Sequence, residues 1–187
     1  MIAPPLTLCG NQDMRFKLCL AALAATAAIA TPAVAAPTDV TATAQARGLV
    51  VQPLTLSRVS HLDFGTVFAS STAGGWVTVD PDTGLRSADG TGVTLVATGP
   101  GSRGLFTGAG TPAVQVQLTL GQPAGGVVVS GGNQIAASLV LDQSGATTRV
   151  IGAGGTFDVG VGGTFTTVAN QSAGLYAADF TLTAQYP

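Results

Sequence analysis

The 187-residue chain is poor in cysteine and in charged side chains. It contains no glutamate, its one lysine is Lys17, and its two cysteines, Cys9 and Cys19, both lie near the start. From residue 36 onward the charges are five arginines and eight aspartates, a net charge of 5 − 8 = −3. We therefore expect no catalytic thiol, no cysteine metal site and no nucleic-acid surface in this part of the chain.

A secretory signal explains the segment that holds the cysteines. A basic start from Met14 to Lys17 precedes the apolar run Leu18–Ala30, which is too short to cross a bilayer core of about 30 Å. The A-x-A pattern Ala33–Ala35 predicts cleavage after Ala35, with Ala36 as the second choice. We therefore expect export, through a periplasm, to the cell surface or the extracellular space.

The division of the chain follows from this signal. Residues 1–35 are interpreted as upstream residues plus the signal peptide, with either Met1 or Met14 as the true start. Residues 36–187 are interpreted as one domain, because no linker or change in composition divides them. No later apolar run approaches the roughly 18 residues of a membrane-spanning helix, so we expect no span after signal cleavage.

Short segments rich in Thr, Val and Ala alternate between glycine clusters in this domain. This pattern is typical of an all-β protein, and we predict a single antiparallel β-sandwich of immunoglobulin or pilin type. Asp80–Gly84 predicts a hairpin turn. The predicted strands are Gly48–Ser57, Leu62–Ala69, Trp76–Asp80, Val93–Ala97, Gly104–Thr107, Val114–Leu120, Val127–Ser130, Ile135–Leu141, Thr156–Val161, Thr164–Ala169 and Leu175–Tyr186.

Two of these strands share a repeat. The segments GGTFDVGV from Gly154 and GGTFTTVA from Gly162 are similar, and we interpret them as the two arms of a hairpin. The last strand alternates most regularly, which predicts one buried face that is either held in a sheet or offered to a partner strand. Its apolar positions are Tyr176, Ala178, Phe180, Leu182, Ala184 and Tyr186.

Several residues suggest chemistry, but in each case a structural interpretation is favoured. Gly99–Gly104 fits G-x-G-x-x-G, yet strand and turn residues follow it rather than a helix, so it predicts a loop. The one histidine, His61, is expected to be exposed, since no G-x-S-x-G elbow accompanies it. The sole tryptophan, Trp76, is expected in the core rather than on a sugar-binding surface.

The aspartates Asp80, Asp82 and Asp89 could be proposed as calcium ligands or as an acid–base pair. Calcium requires about six to eight oxygen ligands, and turn formation is the favoured interpretation. We therefore assign no catalytic residue, no cofactor and no metal site.

Several segments of the sequence resemble those of a known protein family. The stretch Pro53–Val67, with PLTL followed by LDFGTV, resembles a family of small secreted proteobacterial proteins that share a domain of unknown function, DUF4402. The segment WVTVDPDTGLRS, the later VGGTF and ANQSAG segments and the ending are similar to that family too.

More distantly, the ending resembles subunits of chaperone–usher fimbriae. These carry a glycine before the last strand and an aromatic residue next to last, as Gly174 and Tyr186 are here. The resemblance implies a sandwich that lacks one strand, with a periplasmic chaperone and an outer-membrane usher as partners. It also implies a donor arm at residues 36–47 that completes the groove of the next subunit. The implied assembly residues are Val40, Ala42, Ala44 and Ala46 in the arm, with Gly174, Phe180, Leu182, Ala184 and Tyr186 at the groove.

We therefore expect an exported, non-catalytic structural subunit of a cell-surface fimbria or matrix that polymerises with itself. Two alternatives remain open. A secreted carbohydrate-binding, lectin-like or adhesin module would use an exposed Trp76, and a secreted hydrolase would use His61 or paired aspartates.

Overall fold

The structure, a computed structural model, describes residues 39–187. The predicted signal segment and both cysteines lie outside the described residues. The chain divides into two compact units, Met1–Ala46 and Arg47–Pro187. In the first unit, residues 39–46 form neither helix nor strand.

Nearly all of the regular secondary structure in the second unit is β-strand. Two short turns, at Ala124–Gly126 and Asp142–Gly145, have helical hydrogen bonds. The strands are β1 Thr55–Ser60, β2 Val67–Ala69, β3 Gly75–Val79, β4 Arg86–Ala88, β5 Val93–Leu95, β6 Gly104–Ala109, β7 Gln115–Gly121, β8 Val127–Ser130, β9 Asn133–Leu141, β10 Thr148–Val150, β11 Thr156–Thr167 and β12 Thr181–Gln185.

The strands form three antiparallel sheets. The largest has seven strands in the order β1-β6-β11-β3-β4, with β9 also paired to β11 and β8 paired to β9. A three-stranded sheet has the order β10-β7-β12, and β2 pairs with β5. The all-β class is therefore confirmed, whereas the immunoglobulin- or pilin-like sandwich topology stays a prediction.

Two apolar clusters form the core, and the larger one joins the two main sheets. In β9, alternate side chains are buried and the intervening ones are exposed, as the period of a strand requires. The larger cluster is Val116, Leu118, Leu139, Leu141, Ile151, Phe157, Val159 and Val161. The smaller cluster is Val77, Val93, Ile135, Ala137 and Phe165.

The hairpin turn predicted at Asp80–Gly84 is confirmed. The Asp80 N–H donates to the Leu85 carbonyl at 2.8 Å and the Gly84 N–H to the Asp80 carbonyl at 2.8 Å, which joins β3 to β4. Gly84 has a φ of 75°, a conformation that glycine adopts without strain. The loop at Gly99–Gly104 runs directly into β6.

The hairpin predicted for the GGTF repeat is wrong, because β11 runs unbroken from Thr156 to Thr167. The glycines at its centre allow close approach of other strands instead of a turn. A Cβ on Gly162 would lie 2.2 Å from the Val79 carbonyl oxygen, and one on Gly163 would lie 2.3 Å from the Ser138 carbonyl oxygen.

Both end strands are shorter than predicted. β1 begins only at Thr55, and the last strand begins at Thr181, with Leu175 88% exposed. Tyr176 packs on the smaller core cluster, and Ala177 forms an isolated bridge with Val129 of β8. Ala178, which was predicted to be buried, is exposed. The other alternating positions therefore belong to two different cores rather than to one strand face.

Candidate functional site

The alternation predicted for the last strand is real within β12 and its flanking residues. Phe180, Leu182, Ala184 and Tyr186 are half-buried and pack on the larger core cluster, while the intervening side chains are exposed. β12 pairs with β7 on one side only, among the described residues. The strand therefore has a buried face and a free edge.

A second free edge lies beside it. β1 ends the seven-stranded sheet and pairs only with β6 among residues 39–187. Its Leu56, with Leu54 just before the strand, packs on the same cluster as β12. We call the strip between these two edges the edge groove. Its lining is Leu54, Leu56, Leu62, Phe106, Phe180, Leu182, Ala184 and Tyr186.

The edge groove is closed at one end. The Tyr186 hydroxyl donates to the Gln52 carbonyl at 2.9 Å and accepts the Thr111 N–H at 3.0 Å. It therefore ties the end of β12 to the segment before β1. The Tyr186 hydroxyl is thus bonded within its own fold.

The opposite end is open. Phe180 meets Phe106 edge to face, with ring centroids 6.0 Å apart. Beside them is a cavity of about 150 Å³, lined also by Arg58, Leu62 and Asp179. This end of the groove therefore has room for an additional side chain.

The predicted arm residues form no strand. Residues 39–50 have no regular secondary structure and their side chains are exposed, with Val40 92% and Val50 93% exposed. Ala42, Ala44 and Ala46 are exposed as well.

Gly174 does not lie with the other predicted assembly residues. A Cβ at this position would come within 2.4 Å of the Ser130 hydroxyl oxygen in β8. The glycine therefore allows the segment before β12 to approach β8, on the side of the smaller core cluster.

The prediction that Trp76 is a core residue is wrong, because its side chain is 41% exposed on β3. Beside it, adjacent strands bring hydroxyls together in a row, in which the Thr78 and Thr164 hydroxyl oxygens are 2.6 Å apart. Ser87 pairs with Thr78, and Ser138 pairs with Thr164, so the row crosses four strands. We call Trp76, Thr166 and this row the hydroxyl face.

The three aspartates take part in loop structure, as predicted. Asp80 Oδ1 accepts the backbone N–H and hydroxyl of Thr83 and the N–H of Asp82, and these bonds lower the pKa of Asp80, the Thr83 N–H most of all. Asp89 Oδ1 accepts the N–H of Gly92, and Asp82 Oδ1 accepts the N–H of Gln143.

His61 is exposed in the loop after β1 and also lines the cavity beside Asp179. Ser102 donates its hydroxyl to the backbone carbonyl of His61 at 3.3 Å, so this contact does not form a serine–imidazole pair. Within residues 39–187, no cluster of three or more His, Cys, Asp or Glu side chains could hold a metal ion. No helix in the same range has the length and apolar character needed to span a membrane.

Two polar residues that the sequence did not single out have structural roles. The side-chain amide of Gln122 forms the pair of hydrogen bonds that the backbone of a neighbouring strand would form. It donates to the Leu139 carbonyl at 2.8 Å and accepts the Leu139 N–H at 2.7 Å. Arg149 is 5% exposed and forms an ion pair with Asp142. Neither residue stands in a local pattern that distinguishes it from the other Gln and Arg residues.

A comparison with protein families matches residues 54–186 to the family described as Domain of unknown function (DUF4402). No curated protein and no solved structure matches the chain significantly. The matched range begins just before β1 and ends just after β12, so it includes both edges of the edge groove.

Proposed function

Since the chain belongs to the DUF4402 family, which is defined without a function, we propose its role from its own structure: an exported, non-catalytic structural subunit of a cell-surface fimbria or matrix. The subunit assembles by β-strand addition at the edge groove. The observation that carries this proposal is that the free edges of β1 and β12 border the same strip of half-buried apolar side chains.

Strand addition uses both features of the groove. An extended peptide laid along a free edge forms main-chain hydrogen bonds with it, and alternate side chains of that peptide fill the apolar strip. Filling the strip removes from water the exposed part of side chains such as Phe180 and Leu182, which is favourable at about 25 cal/mol per Å². A free edge that is neither charged nor covered is otherwise an aggregation risk.

The donor in this proposal is the arm at residues 36–47. Val40, Ala42, Ala44 and Ala46 alternate with polar residues and are exposed. During export, a periplasmic chaperone would cover the groove and an outer-membrane usher would exchange it for the arm of the next subunit.

Charge substitutions on the two faces of the arm test this proposal. Ala42→Asp together with Ala44→Asp adds charge to the face that enters the groove, and we expect loss of SDS-resistant ladders of the purified protein. The matched control, Thr41→Asp with Thr43→Asp, adds the same charge to the opposite face and should leave the ladders intact. Deletion of residues 37–47 should give folded subunits that do not polymerise. Ladders that persist unchanged after the deletion would contradict the proposal.

A second candidate function, glycan binding, is favoured by one observation, the exposure of Trp76 beside the row of hydroxyls. An indole ring stacks on the apolar face of a sugar, and neighbouring hydroxyls can bond to those of the glycan. Because Trp76 is the sole tryptophan, its fluorescence during titration with polysaccharides reports directly on this surface. A saturable shift that Thr164→Val weakens would favour this candidate, and an unchanged spectrum would exclude it for the glycans tried.

A further inference from the structure

We infer that the cavity beside Phe180 is a binding site for a small zwitterion with an apolar side chain, an α-amino acid of the phenylalanine or leucine class. The ligand carboxylate pairs with Arg58, the ligand ammonium group pairs with Asp179, and the apolar side chain enters the cavity. This inference goes beyond the proposed assembly and does not depend on it.

The apolar part of the site is the cavity itself. It encloses about 150 Å³, a volume that in other proteins accommodates a benzene-sized group. Half-buried side chains form its wall, with Leu62 beside the edge-to-face pair of Phe106 and Phe180. A phenyl or isobutyl group therefore matches the cavity in both size and polarity.

Backbone hydrogen bonds hold the loop that contributes Leu62. The Asp63 N–H donates to the Ser102 carbonyl and the Ser102 N–H donates to the Asp63 carbonyl, each at 2.7 Å. The Ser102 hydroxyl donates to the carbonyl of His61, whose side chain also lines the cavity, at 3.3 Å. The wall is therefore formed before a ligand binds, as is usual for small-molecule sites.

Arg58 is placed to bind an anion at this cavity. It pairs with Phe106 across β1 and β6, so the two side chains lie side by side on one face of the sheet. Among residues 39–187, the guanidinium of Arg58 has no hydrogen-bond or ion-pair partner, whereas those of Arg86, Arg103 and Arg149 donate to backbone carbonyls. Arg58 therefore offers an unused planar set of donors, whose geometry matches a carboxylate.

Asp179 supplies the opposite charge. It lines the cavity just before Phe180, and its carboxylate has no partner within the part of the chain that the structure describes, Arg58 included. An apolar ligand with one charge would cover the cavity and leave either Arg58 or Asp179 without a counter-charge beside it. A zwitterion pairs with both charges, so the site favours it over an acid or an amine alone.

Ligand-observed saturation-transfer NMR tests the site on the monomer fraction of the exported chain, with L-phenylalanine as the probe. Phenethylamine lacks the carboxylate, 3-phenylpropanoate lacks the ammonium group, and L-alanine keeps both charges but lacks the ring. We expect L-phenylalanine to bind with a dissociation constant on the order of 1 mM. Each single-charge analogue should bind about three- to fivefold more weakly, because exposed ion pairs contribute little each. L-Alanine should show no saturable binding in the same range.

Two substitutions assign the charges. Arg58→Met should weaken the binding of L-phenylalanine and 3-phenylpropanoate about three- to fivefold without weakening that of phenethylamine. Asp179→Asn should weaken the binding of L-phenylalanine and phenethylamine without weakening that of 3-phenylpropanoate. The matched control, Asp158→Asn, removes an exposed carboxylate of β11 that does not line the cavity, and it should change none of the three affinities.

Absence of saturable L-phenylalanine binding to the unaltered protein would overturn the site. Equal weakening of all three ring-containing ligands by both substitutions would overturn the assignment of the two charges. L-Alanine binding as tight as that of L-phenylalanine would overturn the role of the cavity. SDS-resistant ladders from a protein that does not bind L-phenylalanine would overturn this inference alone, whereas binding without ladders would support it and contradict only the proposed assembly.

Discussion

Arg149 is the most buried charged side chain among the described residues, and its partners all lie in the segment from Asp142 to Thr148. Its guanidinium donates to the carbonyls of Ala146 and Thr148 and pairs with the Asp142 carboxylate. Each partner in such a pair compensates the desolvation of the other. The pair therefore holds the turn between β9 and β10.

Asp142→Asn should lower the free energy of unfolding by about 3–5 kcal/mol, because it leaves the Arg149 charge buried without a counter-charge. Urea denaturation followed by circular dichroism measures this loss. The control Arg58→Met removes an exposed guanidinium and should change the stability by at most about 0.5 kcal/mol. Equal losses for both variants would contradict a special role for the buried pair.

Asp80 should make the stability of the β3–β4 turn depend on pH. Its hydrogen bonds lower its pKa below the ordinary value of 3.8, so the carboxylate stabilises the fold above that value. This contribution is lost as the pH falls through the lowered pKa. An NMR titration of the Asp80 carboxyl should give a pKa below 3.8, and Thr83→Val should raise it by removing one hydrogen bond. Titration at the ordinary value in both proteins would contradict this.

At the residue scale, sequence predicts best what depends on near neighbours. The role of Asp80 follows from a turn of five residues, and the structure has that turn. The exposure of Trp76 could not be predicted from its neighbours in the sequence. The two-residue period of a strand divides its side chains between two faces, but it does not show which face other elements cover.

At the element scale, the two GGTF copies at the start and middle of β11 show that the same local sequence can leave room for a side chain in one place and exclude it in another. Each copy of GGTF begins with a glycine, at Gly154 and Gly162. A Cβ on Gly154 would meet nothing within 4 Å, whereas a Cβ on Gly162 would lie 2.2 Å from the Val79 carbonyl oxygen.

Gly162→Ala should therefore destabilise the protein by more than about 2 kcal/mol, because backbone must move to admit the methyl group. The matched control Gly154→Ala should be nearly neutral. Thermal unfolding of the two variants checks this difference. Similar melting temperatures would contradict the close approach of β3 to β11 at this glycine.

The strands themselves were predicted to different degrees. Strands with strict alternation and clear turns, such as β7 and β9, agree with prediction to within two residues at each end. The last strand does not, because the chain passes from the smaller core cluster at Tyr176 to the larger one at Phe180. Apolar spacing alone does not reveal such a change of core.

At the scale of the whole molecule, the Tyr186 hydroxyl joins the end of β12 to the segment before β1. Tyr186→Phe should lower the free energy of unfolding by about 1–3 kcal/mol, because the Thr111 N–H and the Gln52 carbonyl lose this partner. Hydrogen exchange at the Thr111 amide should become faster.

Tyr176→Phe is the matched control for this change. It removes a hydroxyl whose partners, Gln171 and Ser172, lie within five residues along the chain. Exchange at Thr111 should therefore stay at the rate of the unchanged protein. Faster exchange in both variants would contradict the assignment of this amide to the closed end of the edge groove.

The sequence by itself determined the all-β class, the turn at Asp80–Gly84 and the inward face of β12. These features depend on side-chain period and turn chemistry within a few residues. Only the tertiary structure decided that β1 and β12 border one groove, that Trp76 lies on an outer face and that Gly162 lies in a strand. These features depend on which edges and faces meet in the folded chain. Gln52 and Tyr186, for example, are hydrogen-bonded at the closed end of the groove although they are 134 positions apart in the sequence.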